Sequence, residues 1–220
     1  MPAAETLLNA ASRQAGVPLN VLATLTLVSL VPLAVVTCTS FVRIVVVLSL
    51  VRSAIGASAV PPNAVLTALA LVLTLVVMAP TAQRISHDAL DPYARGHLSP
   101  SQAIARASVP LRAFMLRQTR AADLALFERV ARRGPEPQDR APMTVVVPAF
   151  VVGELRSAFA IGFALYLPFV AIDLAVAAML MGLVMMMLSP PVVSLPVKLL
   201  LFVMVDGWGL LCGGVATSFR

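Results

Sequence analysis

Apolar residues dominate two long blocks of this chain, and polar residues are concentrated in the block between them. Uncharged tracts run from Gln14 to Val42, from Ser53 to Gln83 and from Leu174 to Val197. Each exceeds the ~18–20 residues that a helix needs to cross a bilayer core. The pattern predicts a hydrophobic hairpin over residues 1–83, a polar helical insert over 84–147 and a second hydrophobic hairpin over 148–220. Together they make a single all-α domain, membrane-associated.

In the first hairpin, one helix is expected from about Pro18 into the Arg43–Arg52 region, with Gly56 and Pro61-Pro62 marking its end. The second begins near Asn63, whose side chain can cap it, and runs to Met78-Ala79-Pro80. In the insert, Ser99-Pro100-Ser101 reads as a helix start with proline in the first turn. Leu111, Phe114, Met115, Leu124, Phe127 and Val130 recur at near-helical spacing. Arg120 with Asp123, and Glu128 with Arg132, are spaced to share a helix face. Gly134-Pro135-Glu136-Pro137 closes the segment as a loop. The second hairpin has one arm from about Pro148 to Leu188 and its partner from about Leu195 to Val215. Ser189-Pro190-Pro191 through Pro196 form the predicted tip.

Composition sharpens the class. The chain is 60% hydrophobic with a mean hydropathy of +0.95, against ~45–50% apolar content in soluble domains. It reads as an integral membrane protein or a subunit of an apolar assembly. Sixteen basic residues against ten acidic ones give a formal charge of +6. Ten arginines and six acids of that set lie between Arg84 and Arg140. No dense basic run is interleaved with aromatics, which argues against nucleic-acid binding. The N-terminal apolar run lacks a small-residue cleavage pattern and reads as a retained first helix.

No chemistry of a known catalytic type emerges. Phosphate-binding loops, zinc-protease helices and nucleophile elbows are all missing from the sequence, so no enzyme activity is expected. Cys38 and Cys212 read as small buried hydrophobes. His87 and His97 belong to no ligand-spaced cluster, so neither a metal nor another cofactor is expected. More informative are the ionisable residues inside apolar stretches: Arg43, Arg52, Glu154, Arg156, Asp173, Lys198 and Asp206. A charge at mid-bilayer costs ~2.5–3.5 kcal/mol or more, so such residues face protein or water. Asp173 precedes Pro190 by 17 residues and Asp206 follows it by 16. In a regular hairpin the two carboxylates would lie at similar depth, either satisfied by neighbouring arginines and helix-end N–H groups or forming a proton relay. Arg43, Asp173 and Asp206 are expected to find partners on other subunits, and Glu154 to be a structural contact with Arg156 nearby.

Five of the ten methionines fall between Met179 and Met187. Met185, Met186 and Met187 sweep about 200° of a helix and cannot share one apolar neighbour. They are either filler or a soft, adaptable surface. Prolines interrupt nearly every apolar tract, and broken helices persist only where protein or a water cavity satisfies the freed backbone.

Several motifs then resemble a known family. Thr39-Ser40-Phe41-Val42-Arg43-Ile44, Arg52-Ser53-Ala54-Ile55-Gly56, Pro61-Pro62-Asn63 and Val77-Met78-Ala79-Pro80 are similar to the FliP/SctR family of type III secretion export-gate proteins. So are Val147-Pro148-Ala149-Phe150, Glu154-Leu155, Leu167-Pro168-Phe169, Ile172-Asp173-Leu174, Met185-Met186-Met187, Leu195-Pro196-Val197-Lys198-Leu199 and Asp206-Gly207-Trp208. The resemblance covers about residues 20–220, with the insert diverging. Val184, Val197 and Ser53 stand where the family commonly has Gly, Phe and Asn.

The resemblance implies a core subunit of the inner-membrane export gate. It would be part of a helical hetero-oligomer, in which several copies, with two smaller hydrophobic gate subunits, form a channel for unfolded exported proteins. Its constriction would be Met185, Met186 and Met187, while Arg43, Glu154, Asp173, Lys198 and Asp206 would be subunit contacts or buried polar groups. It implies a multi-pass protein of the bacterial inner membrane, raised towards the periplasm in the assembly. The arginine-rich insert would be cytoplasmic by the positive-inside tendency, whereas the family places it on the periplasmic side, and the resemblance is followed. Tyr166-Leu167-Pro168-Phe169 favours the injectisome branch, which would carry virulence. Leu116-Arg117-Gln118-Thr119-Arg120 with Asp123-Leu124-Ala125-Leu126-Phe127 looks more like the flagellar branch. The competing class is an ion channel or proton-coupled secondary transporter subunit, against which stands the lack of an internal repeat.

Overall fold

A computed structural model of the chain describes residues 29, 32–57, 60–132, 134, 137, 140–183 and 187–219. The fold is all-α, and among the described residues there is no strand. Helix α1 (Pro32–Cys38) meets α2 (Phe41–Ile55) at a bend of 76°. The expected single first helix is therefore broken at Thr39-Ser40. Gly56 ends α2 at φ 86°, with its N–H bonded to the Ser53 carbonyl, a left-handed cap that a residue without Cβ adopts freely.

Helix α3 (Asn63–Ile85) starts where expected, but Asn63 is its first helical residue and caps nothing. Its side-chain oxygen instead accepts from Arg52 Nη1 at 2.6 Å, and the same nitrogen reaches the Pro61 carbonyl at 3.1 Å. Nor does Pro80 end α3. The helix runs through it into a π-helical turn at Ser86–Leu90 and then the short α4 (Asp91–Ala94). Only one stripe of α3 is buried: Leu66, Ala70, Thr74, Met78 and Thr81. The steps of four and three put these residues over one another, leaving Val65, Val72, Leu75 and Val76 bare.

Helix α5 (Pro100–Gln118) opens with a full capping box between Ser99 and Gln102, which satisfies two orphan N–H groups reciprocally. Helix α6 (Ala121–Val130) follows after Thr119-Arg120 take extended backbone. That break removes the expected pairings within the insert. Arg120 lies before the helix, and Arg132 lies beyond it at φ 54°.

The longest element is α7 (Met143–Gly182), which begins before Pro148 and passes through both Pro148 and Pro168. It ends well short of the expected Leu188. Leu183 and Met187–Ser189 are the described residues between the arms, and Pro190 and Pro191 open α8 (Pro190–Met204) rather than forming the turn. Proline suits that position because first-turn N–H groups have no intrahelical partner. Pro196 lies inside α8. The second arm is also divided: α8 and α9 (Gly207–Thr217) bend by 65° at Val205-Asp206.

Two apolar cores lie along α7. One gathers Ile44, Leu48, Val51, Leu66, Phe169 and Phe202 from α2, α3, α7 and α8. The other gathers Met78, Phe114, Met115, Leu124, Val146 and Phe150 under α5 and α6. Phe219 packs against both. Among the described residues, two helices are long and apolar enough to cross a membrane, or up to four if each bent pair is one span.

Candidate functional site

The boundary between the two cores holds a buried ion pair. Arg43 on α2 donates from Nε to Glu154 Oε2 at 2.9 Å and from Nη2 to Oε1 at 2.5 Å. Arg43 is 4% exposed and Glu154 is fully buried. The guanidinium is saturated by the rest of its surroundings. Nη1 donates to the Ser218 carbonyl and hydroxyl at 3.0 and 3.1 Å, Nη2 reaches Gln118 Oε1 at 3.5 Å, and the Phe219 ring lies 4.0 Å from Cζ. Planar, bidentate geometry of this kind is the strong form of a charge-assisted hydrogen bond. Arg43 finds its partners within its own chain, and the nearby Arg156 turns elsewhere. Arg156 Nη1 meets Asp123 Oδ1 at 2.8 Å and Oδ2 at 3.0 Å, tying α6 to α7.

A second polar knot joins the two arms of the C-terminal hairpin to α2. Lys198 Nζ donates to Asp173 Oδ2 at 2.5 Å and to the Ala54 carbonyl at 3.1 Å. Ser194 Oγ, fully buried, donates to Asp173 Oδ1 at 2.5 Å. Ala54 lies in the last turn of α2, where carbonyls lack intrahelical partners and a cation is favoured by the helix dipole. Each carboxylate oxygen of Asp173 accepts a hydrogen bond, one from Ser194 and one from Lys198.

Asp206 stands apart from that knot. It sits at the α8–α9 bend, exposed, in the left-handed conformation at φ 49°, and makes no side-chain capping bond. Among the described residues it enters no ion pair. The regular hairpin that would juxtapose it with Asp173 is replaced by this bend, because a left-handed residue cannot continue a right-handed helix.

Met187 is fully exposed at the tip between α7 and α8, beside exposed Leu188. Met185 and Met186 lie outside the described residues. Among the described residues no group of three or more His, Cys, Asp or Glu side chains could hold a metal ion. Sequence reasoning missed Ser194, Ser218 and Phe219 as partners. Their signal is weak, since a serine or phenylalanine in an apolar tract is common without such a role.

The comparisons bear on this arrangement. The model of the FliP family matches residues 24–215. The flagellar biosynthetic protein FliP of Pectobacterium carotovorum subsp. carotovorum is 50% identical over 199 residues, covering 89% of this chain and 76% of that protein. The protein of that name from Caulobacter vibrioides is 49% identical over 198 residues, covering 89% and 74%. The one from Bacillus subtilis is 45% identical over 196 residues, covering 89% of each. The matched span contains the Arg43–Glu154, Arg156–Asp123 and Lys198–Asp173 pairs, both bends and the methionines at 185–187, and the chain belongs to the FliP family.

Proposed function

We propose that this chain is a core subunit of a type III protein export gate, a structural component of the channel through which unfolded substrates leave the cell. The observation that carries the reading is family membership across residues 24–215, in a chain where Met187 stands fully exposed between the two C-terminal arms. The relatives' printed name, flagellar biosynthetic protein, fits a part in flagellar assembly and does not distinguish the flagellar branch from the injectisome branch that the sequence motifs favour. Several copies of the chain assemble with two smaller hydrophobic subunits in the inner membrane, raised towards the periplasm. The two hairpins and the polar insert work as one domain.

Met185, Met186 and Met187 from each copy converge on the axis and close the channel. Flexible thioethers seal without rigid shape matching and part when a chain enters, and an apolar constriction blocks ions by dewetting. Arg43 with Glu154 and Lys198 with Asp173 hold the arms, while Asp206 faces a neighbouring subunit. Replacing all three methionines by alanine shortens every side chain at the constriction. The expected result is ion leakage across membranes that contain the assembled variant, with assembly preserved. Wild-type tightness in conductance measurements sinks the gasket role.

A further inference from the structure

Two cavities of opposite character meet at Ser218. The first, about 290 Å³, is lined by Arg43, Arg117, Gln118, Thr119, Arg120, Ser157 and Ser218. Arg43 is committed to Glu154. Arg117 and Arg120 are exposed and, among the described residues, have no ion-pair or side-chain hydrogen-bond partner. The second is a groove of about 520 Å³ between α2, α7, α8 and α9, with Val51, Ile161, Leu165, Phe169 and Phe202 among its walls and Ser218 at one end.

The two are in register along the same helices. On α7, Ser157 in the polar cavity is followed at four-residue steps by Ile161 and Leu165 in the groove. On α2, Arg43 leads by two such steps to Val51. Residues four apart lie one above another, so each helix runs directly from the arginine pocket into the groove. From Ile161 to Phe169 the groove follows α7 for about 12 Å at ~1.5 Å per residue.

We infer that this pair of cavities is a binding site for one anionic phospholipid. The phosphate lies against Arg117 and Arg120 and accepts from the Ser157 hydroxyl, while the Thr119 hydroxyl is already given to the Met115 carbonyl, and an acyl chain lies in the groove. Charge and polarity complementarity select this occupant. Basic pockets between membrane helices recognise anionic headgroups, guanidinium forks match phosphate oxygens, and an apolar cavity of several hundred Å³ is of ligand size. A free anion would leave the groove empty, and a zwitterionic lipid would bring, beside the same phosphate, a quaternary ammonium that two unpaired guanidinium groups repel.

The test uses the full chain co-purified with its partner subunits in mild detergent, depleted of lipid and then exposed separately to phosphatidylglycerol, phosphatidylcholine or inorganic phosphate. Lipid retained is read by mass spectrometry of the intact complex, and stability by the thermal midpoint. Phosphatidylglycerol is expected to be retained and to raise the midpoint. Arg117→Gln with Arg120→Gln should weaken retention about thirtyfold, the factor that two lost contacts to anionic lipid amount to. Leu165→Trp should block the groove from a partly exposed position and reduce retention without touching the arginines. Equal retention of both lipids overturns the proposal, as does full retention in both variants. An equal rise in midpoint with inorganic phosphate alone also overturns it, leaving a free-anion pocket. If the double arginine variant fails to assemble, Leu165→Trp decides alone.

Discussion

At the residue scale, the Arg43–Glu154 pair is the most demanding feature of the chain. A buried ion pair is weak evidence of net stabilisation, but breaking one half leaves a charge that is both buried and uncompensated, at a cost of about 3–5 kcal/mol. We therefore predict that Glu154→Ala strongly lowers the melting midpoint and the yield of assembled complex. Glu154→Gln should be nearly as harmful rather than mild. Its amide keeps one acceptor but turns an N–H towards a guanidinium that already donates on every side. The double replacement Arg43→Met with Glu154→Leu should recover most of the loss. Thermal melts of the four proteins in one detergent check this, and a double variant no better than Glu154→Ala would refute it. Asp206 poses the opposite case, an exposed carboxylate at φ 49°. Asp206→Gly should leave folding intact because glycine takes that conformation without strain. Asp206→Val should lower the midpoint, since β-branched residues are outliers there.

At the element scale, helices are held together by close approach and by single polar clamps. Gly162 of α7 faces Leu50 of α2 so closely that an added Cβ would overlap the Leu50 side chain. We predict that Gly162→Ala costs about 1–3 kcal/mol, as overpacking does, and that Gly162→Leu prevents α2 from seating. Lys198 clamps α8 to both α7 and the end of α2. Lys198→Met keeps the aliphatic stem and removes the charge, leaving Asp173 and the Ala54 carbonyl short of a donor at about 1–3 kcal/mol. Hydrogen exchange should then quicken in α8 and the last turn of α2 while the core under α5 and α6 stays protected. Uniform loss of protection would mean that the clamp is not local. The elements themselves were largely legible: Gly56 as a cap, Ser99-Pro100 as a helix start and the long apolar arms all follow from local chemistry. Their breaks were not. Prolines 80, 148, 168 and 196 sit inside helices, because packing supports a ladder that has lost one bond. The true breaks fall at Thr39-Ser40, where the sequence offers no strong breaker, and at Asp206-Gly207, a turn-type pair set inside an apolar tract.

At the scale of the whole molecule, the bare apolar surface is the dominant fact. Leu75, Phe163, Leu167, Leu174, Val203 and Met204 are each more than half exposed, and α7 continues beyond Glu154 for about 42 Å at ~1.5 Å per residue. Patches of this kind mark membrane or subunit contact. The Arg43–Glu154, Arg156–Asp123 and Lys198–Asp173 pairs, however, are closed within one chain, so these charges do not need a neighbour's. We predict that the chain expressed alone keeps its helicity in detergent but associates heterogeneously, and that co-expression with its partner subunits gives one discrete mass. A discrete, monomeric species from the chain alone would argue that the exposed surface faces lipid only.

The amino-acid sequence determined by itself the all-α class, the polar insert between apolar arms, the family and the identity of the charged residues worth following. These are set by periodicity, composition and local capping, which act over a few residues. Only the tertiary structure decided which charges meet. Arg43 and Glu154 are 111 residues apart in sequence, and Glu154 lies only two residues from Arg156. The choice between those two partners depends on which face of α7 packs against α2 and which against α6. The sharp bends decided the rest, separating Asp206 from Asp173 and bringing the arginine pocket to the head of the apolar groove. Long-range packing of this kind is fixed by the sum of many weak contacts, and no short window of sequence carries that sum.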